Sequence, residues 1–232
     1  MPNARLLALA TVAGVSISSP ALAADANNPT VVELFQSQGC SSCPPANAVL
    51  NALAGRPDVL ALSFAVTYWD RLGWKDLFAH KAYTARQWEY SKAGGRGNVS
   101  TPQMIINGRG VLVGSSKRQV EASILRHERK APGPSIAARA DKIAVAGPRA
   151  ARPANVWLVR YDPRLHDVPI RAGENGGRTL PHRNIVRSIH LLGKWSGGAA
   201  SFSVPPARND IYRTAVLVQD GPGGAILAAR RI

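Results

Sequence analysis

Only two of the 232 residues are cysteine, Cys40 and Cys43. A fold stapled by several disulfides is therefore excluded. A structural zinc site is also poorly supplied, since it needs four ligands, usually from a second C-x-x-C or a paired histidine motif. The five histidines, His80, His127, His166, His182 and His190, show no such pairing. Acidic residues are scarce, 14 against 29 Lys and Arg, for a formal net charge of +15. The basic excess is spread through both halves rather than clustered into runs, so it lacks the footprint of a nucleic-acid binder. There is no G-x-S-x-G, no phosphate loop and no dinucleotide fingerprint; Gly94-Gly95-Arg96-Gly97 follows a helical stretch, which is the wrong context for one. No apolar run has the length of a stable bilayer span, so the chain is expected not to be transmembrane.

The first residues give that expectation a setting. Met1-Pro2-Asn3-Ala4-Arg5 precedes an apolar stretch from Leu6 to Ile17, and Ala21-Leu22-Ala23 supplies an A-x-A cleavage site. Residues 1–23 thus read as a secretory signal peptide, removed to leave an exported protein, periplasmic or secreted. Such a compartment permits disulfides. It also makes an anionic envelope surface a natural partner for a basic chain, beside the plainer reading of a generally alkaline surface.

From Val31 to Phe35 a β-branched and aromatic run predicts a strand. It leads through a polar turn into Cys40-Ser41-Ser42-Cys43-Pro44-Pro45, and Pro45 to Ala54 then reads as a helix, stopped by Gly55 and Pro57. Proline is tolerated in a first helical turn, where no backbone bond to the preceding turn is due. A helix N-terminus carries partial positive charge and free N–H groups, which favour a thiolate. Cys40 is expected as the exposed attacking nucleophile and Cys43 as the resolving thiol. An inert short-loop disulfide is the structural alternative.

Val59 to Val66 is a second apolar strand, expected to lie parallel to the first across a right-handed crossover. Thr67 to Asn98 is aromatic and charged and reads as a helical insertion, with Asp76 to Ala93 its helical part. A strand restarts after Thr101-Pro102, turns at Asn107-Gly108 and returns through Val111 to Gly114. A helix from Lys117 to Arg129 and the punctuation Ala131-Pro132-Gly133-Pro134 complete a first domain, 24–133. Beyond it, 134–232 alternates and breaks at Gly, Pro and Asp turns, which predicts a small all-β, sandwich-like domain. Its strand candidates are Asn155 to Tyr161, Asn184 to Leu192, Ala200 to Val204, Tyr212 to Gln219 and Ala225 to Ala229. Glu174, Asn175, His182 and Arg183 read there as turn chemistry and charged surface, or as contacts to a partner.

The first domain, β-α-β with a helical insertion, a hairpin and a helix, resembles the α/β thioredoxin fold. Thr101-Pro102 matches the residue pair that in that superfamily places a cis-proline opposite the C-x-x-C, at the kind of bond where cis costs only about 0.5–1 kcal/mol. Narrower likeness is carried by Glu33-Leu34-Phe35, Gln38-Gly39-Cys40-Ser41-Ser42-Cys43-Pro44-Pro45-Ala46, Tyr68-Trp69-Asp70, Gly73-Trp74-Lys75-Asp76, Arg86-Gln87, Thr101-Pro102-Gln103-Met104, Gly173-Glu174-Asn175-Gly176-Gly177-Arg178 and Gly193-Lys194-Trp195. Those residues resemble secreted bacterial thioredoxin-like proteins grouped as a domain of unknown function. The resemblance implies a redox role for Cys40 and Cys43, a peptide groove shaped by Thr101 and Pro102, and Glu33 in place of the buried acid that takes the resolving thiol's proton. Gly39, Ser41, Ser42, Trp69 and Trp74 are the expected groove residues. Gly39 stands where thioredoxins carry tryptophan, and Ser41-Ser42 assigns no redox direction.

Two functions follow as expectations. One is an exported thiol–disulfide oxidoreductase acting on a protein or small-molecule disulfide, with no cofactor beyond the Cys40–Cys43 disulfide. The other is a thioredoxin-like binding module whose cysteines hold a soft metal such as Cu(I), or only staple the loop.

Overall fold

The computed structural model describes residues 24–232 except 140 and 208; the expected signal peptide, 1–23, lies outside the described residues. The first half runs β1 (Thr30–Gln36), α1 (Pro44–Leu53), β2 (Val59–Ala65), a 3-10 turn (Asp70–Leu72), α2 (Lys81–Ala93), β3 (Gln103–Ile106), β4 (Gly110–Leu112) and α3 (Lys117–Arg126). The second half is all strand: β5 (Ser135–Arg139), β6 (Lys142–Gly147), β7 (Ala154–Asp162), β8 (His166–Pro169), β9 (Thr179–His182), β10 (Ile185–Trp195), β11 (Gly198–Ser203), β12 (Arg213–Gln219) and β13 (Ile226–Arg231). The fold is mixed α/β, a large sheet with three α-helices among the described residues.

β1 and β2 are buried along their whole length and pair in parallel, as near-continuous apolar strands do when both faces are covered. Asn107 and Gly108 both take positive φ (47° and 68°) in the turn from β3 to β4, but Ile106 pairs with Gly110, so the loop holds three residues where two were expected. The helix expected from Asp76 instead begins at Lys81. The Asp76 carboxylate accepts the Phe78 N–H and holds that segment as a turn, and the His80 ring then caps the helix by accepting the Ala82 N–H.

The strands of the second half do not keep to sheets of their own; β7, β10, β12 and β13 join the strands of the first half. Eight strands form one sheet in the order β13-β12-β7-β10-β2-β1-β3-β4, which crosses the expected boundary at 133/134. The joint is Asn184, held at φ 51°. Its carbonyl accepts the Ser63 N–H and its side chain donates to the Ala61 carbonyl, so β10 starts alongside β2. One face of the sheet carries a single core from Val31, Phe35 and Ile105 through Val159, Tyr161 and Leu217 to Ala229, with Tyr83 and Tyr90 of α2 packed on it. The opposite face is covered by α1 and α3 over the first half. Over the second half it is covered by the three-stranded sheet β11-β6-β5. β8 and β9, absent from the expected strands, form a hairpin whose core packs on Trp74 and Phe78.

Candidate active site

β1 and β2 end at one edge of the sheet, and β3 runs antiparallel to β1 with Gln103 opposite Phe35. The segment after β1, the segment after β2 and the Thr101–Pro102 bond, which is cis, therefore meet at that edge. Cys40 and Cys43 form a disulfide there with their Cα atoms 5.4 Å apart. Cys43 is the N-cap of α1, and its carbonyl accepts the Asn47 N–H at 3.0 Å. The Cys40 sulfur lies 3.3 Å from the Ser42 hydroxyl.

Cys40 is not the exposed thiol that the sequence suggested. Both cysteines are wholly buried, and only Ser41 and Ser42 of the motif face solvent. The loop between β8 and β9 bonds to this segment. Asn175, itself wholly buried, donates through Nδ2 to the carbonyls of Gln38 (2.8 Å) and Cys40 (2.9 Å). Its Oδ1 accepts from Arg178. Glu174 accepts both the backbone N–H (3.0 Å) and the hydroxyl (2.6 Å) of Ser41. Gly173 adopts φ +74°, and a Cβ there would stand 3.3 Å from Cβ of Trp74, so glycine lets the loop sit against that ring's base. Glu174 and Asn175, expected as turn and surface residues, thus clamp the C-x-x-C loop. Their place in a Gly-rich loop was the only local signal.

A second set of contacts comes from the insertion. Asp76 accepts the Gln38 N–H at 2.7 Å, Trp74 Nε1 donates to the Gln38 side chain at 2.9 Å, and Trp69 Nε1 donates to the Thr101 hydroxyl at 2.7 Å. Trp69 also lies alongside Gly39, where an added Cβ would be 3.6 Å from its own Cβ, an ordinary contact. Gly39, Trp69, Trp74 and Thr101 are thus joined by these contacts at the disulfide loop, with the cis Thr101–Pro102 bond at its margin.

Glu33 is not. It shares the parity of Val31 and Phe35 and so faces α2, whereas α1 covers the Val32 and Leu34 side. Its carboxylate is taken by Arg86 Nε at 2.7 Å and by the Tyr90 hydroxyl. The β1 side chain that faces α1 is Gln36, whose Oε1 accepts from Asn47. An amide cannot take the resolving thiol's proton, and Glu33 on the far face does not reach it.

Two buried groups beside the site titrate in the acid range. Burial pushes the Asp76 carboxyl up to about 6, against the N–H groups of Gln38, Phe78 and Ala79 that favour its charge. Burial, with His166 nearby, pushes His182 down to about 4. The two signs oppose. Folded Asp76 holds a proton that the unfolded chain has released, so its contribution is full below pH 3.8 and is lost as pH rises through about 6. Folded His182 refuses a proton, so its contribution is present above pH 6.5 and is lost as pH falls through about 4. Urea unfolding of the intact protein should therefore vary little with this pair between those limits. In His182→Phe, which sacrifices no hydrogen bond because neither ring nitrogen has a partner among the described residues, stability should rise on acidification, by an amount on the order of 1 kcal/mol per pH unit. An unchanged pH slope in that variant would refute the assignment.

The chain belongs to the family described as protein of unknown function (DUF1223), whose model matches residues 31–219. It is similar to protein AGR_C_4864 from Agrobacterium tumefaciens, known from a crystal structure. The two are 32% identical with a TM-score of 0.73, over 88% of this chain and 93% of that one. It also shares its fold with HBP35 of Porphyromonas gingivalis, at 11% identity and a TM-score of 0.59, over 89% of this chain and 75% of that one. No curated protein matches the sequence. No helix among the described residues is long and apolar enough to cross a membrane.

Proposed function

We propose that the protein is an exported thiol–disulfide oxidoreductase on a thioredoxin-like scaffold. The observation that carries this reading is the pairing of a C-x-x-C disulfide at the start of α1 with the cis Thr101–Pro102 bond at the same sheet edge. In the reduced protein, the Cys40 thiolate attacks a partner disulfide and displaces one partner thiolate. The Cys43 thiolate then attacks Cys40 in the mixed disulfide and releases the second. The protein ends oxidised and the partner gains two electrons as a dithiol; the reverse sequence oxidises a partner. The N-terminus of α1 stabilises thiolate at this position. Thr101 and Trp69 shape the adjoining groove, and no cofactor beyond the cysteine pair takes part.

The basic charge supports attachment to an anionic envelope surface. Arg96, Arg109, Arg152 and Lys194 line a cleft of about 740 Å3 whose one acidic residue, Asp220, is already paired with Arg152.

A second reading rests on the burial of both cysteines: a binding module in which the pair is a staple, or holds Cu(I) once reduced. The reduction potential of the Cys40–Cys43 couple separates the two. Equilibration in glutathione or dithiothreitol buffers should give a value within the roughly −270 to −120 mV of redox enzymes of this superfamily. A potential below about −300 mV would make the bond structural and overturn the enzyme reading.

A further inference from the structure

A cleft of about 490 Å3 opens between the start of α2, the middle of β10 and the segment that follows β11. It is separate in its lining from the cysteine loop, and no Asp or Glu lines it. Its floor holds Arg160, only 6% exposed, on β7. Arg160 Nη1 donates to the Pro206 carbonyl at 2.8 Å, Nη2 donates to that of Pro205, and Nε has no partner. Every acceptor is neutral, so among the described residues this buried guanidinium stands without a counter-ion. Such a charge is costly unless an anion reaches it. The contrast with Arg86, buried to the same degree but paired with Glu33, is direct.

At the rim, the Arg187 guanidinium lies 5.2 Å from the Phe78 ring centre and 5.9 Å from that of Tyr212. The stacking fixes the group and leaves it, too, with no carboxylate partner among the described residues. His80 accepts the Ala82 N–H through Nδ1, which leaves Nε2 as its ring donor. The remaining wall is apolar, with Tyr83, Ile189, Tyr212 and the two prolines. A volume of this size with convergent cations on an apolar wall is that of a small-molecule site.

We propose that this cleft binds a small organic monocarboxylate. Its carboxylate meets Arg187 at the rim, over the uncompensated charge of Arg160, and its hydrocarbon body rests on Tyr83, Ile189 and Tyr212. Inorganic phosphate would satisfy the charge and leave the apolar wall unfilled. A neutral body would do the reverse.

Thermal shift and isothermal titration on the mature chain test this with phenylacetate and hexanoate as probes, against 2-phenylethanol, hexanol and inorganic phosphate. The expected result is saturable one-to-one binding of the carboxylates. The alcohols and phosphate should bind at least tenfold more weakly. Arg187→Gln, at an exposed position that leaves the fold intact, should weaken the carboxylates at least tenfold, and Arg187→Lys should restore part of that. Equal binding of the alcohols would reduce the cleft to an apolar pocket. Phosphate binding as tightly as the carboxylates would make it an inorganic-anion site. Either outcome, or no binding at all, overturns the proposal, as does an Arg187→Gln variant that binds normally. None of them bears on the reduction potential of the cysteine pair.

Discussion

Replacing Arg86 with methionine should lower the unfolding free energy by about 3–5 kcal/mol, the usual cost of removing one partner of a buried ion pair. Arg86 and Glu33 have side chains 2% and 0% exposed and meet at 2.7 Å in the middle of the core between α2 and the sheet. Burial alone would drive the guanidinium toward neutrality, but the Glu33 carboxylate overrides it and holds the charge. The other guanidinium nitrogens donate to the Gln219 side chain and the Tyr90 hydroxyl, which in turn donates to Glu33. The phenyl and indole faces of Phe64, Tyr90 and Trp157 surround the cation at 5.1 to 5.9 Å. One cluster therefore ties α2, β1 and β12 together. Methionine fills the volume but strands a carboxylate in that core. The double variant Glu33→Leu/Arg86→Met should recover most of the loss, because well-packed apolar residues often replace a buried pair at little cost. Urea unfolding of the single and double variants measures the difference. A single variant no less stable than the double would show that the pair is not coupled. The reduction potential of the cysteines should not move in the double variant, since Glu33 faces away from them.

The parts legible in the sequence are those that local chemistry decides. The apolar runs of β1 and β2, the two prolines opening α1 and the Asn107-Gly108 turn each carry their instruction within a few residues. The cis Thr101–Pro102 bond was expected from the family resemblance, since an X-Pro pair by itself permits cis without requiring it. What escaped depends on partners far along the chain. Glu33 and Gln36 are both polar residues in β1, and only the placement of α1 on the even-numbered face decides which one lies near the helix. The union of both halves in one sheet rests on Asn184 bonding to Ala61 and Ser63, a contact no composition signals. Cys40 looked exposed because a C-x-x-C loop by itself is. Asn175, which binds its carbonyl in the buried state, lies 135 residues further on.

That last contact sets the second large expectation. Asn175→Ala should cost about 2–4 kcal/mol, because two buried carbonyls, of Gln38 and Cys40, lose the amide donors that replaced their water. It should also change the chemistry. While the β8–β9 loop is closed, neither sulfur is accessible, so a reductant acts through the fraction of molecules in which the loop has opened. Each 1.4 kcal/mol taken from the closed state raises that fraction tenfold. Reduction of the Cys40–Cys43 bond by dithiothreitol, followed well below the unfolding transition, should accelerate by about 30- to 700-fold. Asn175→Asp should behave like the alanine variant, since a carboxylate keeps the size but donates to neither carbonyl. Glu174→Gln should accelerate reduction only slightly, its bonds to Ser41 lying in solvent. If stability falls in Asn175→Ala while the reduction rate holds, the loop is a structural contact and access to the disulfide runs by another route. If both move together, the β8–β9 loop is the cover of the cysteine pair, and any disulfide exchange must begin with its displacement.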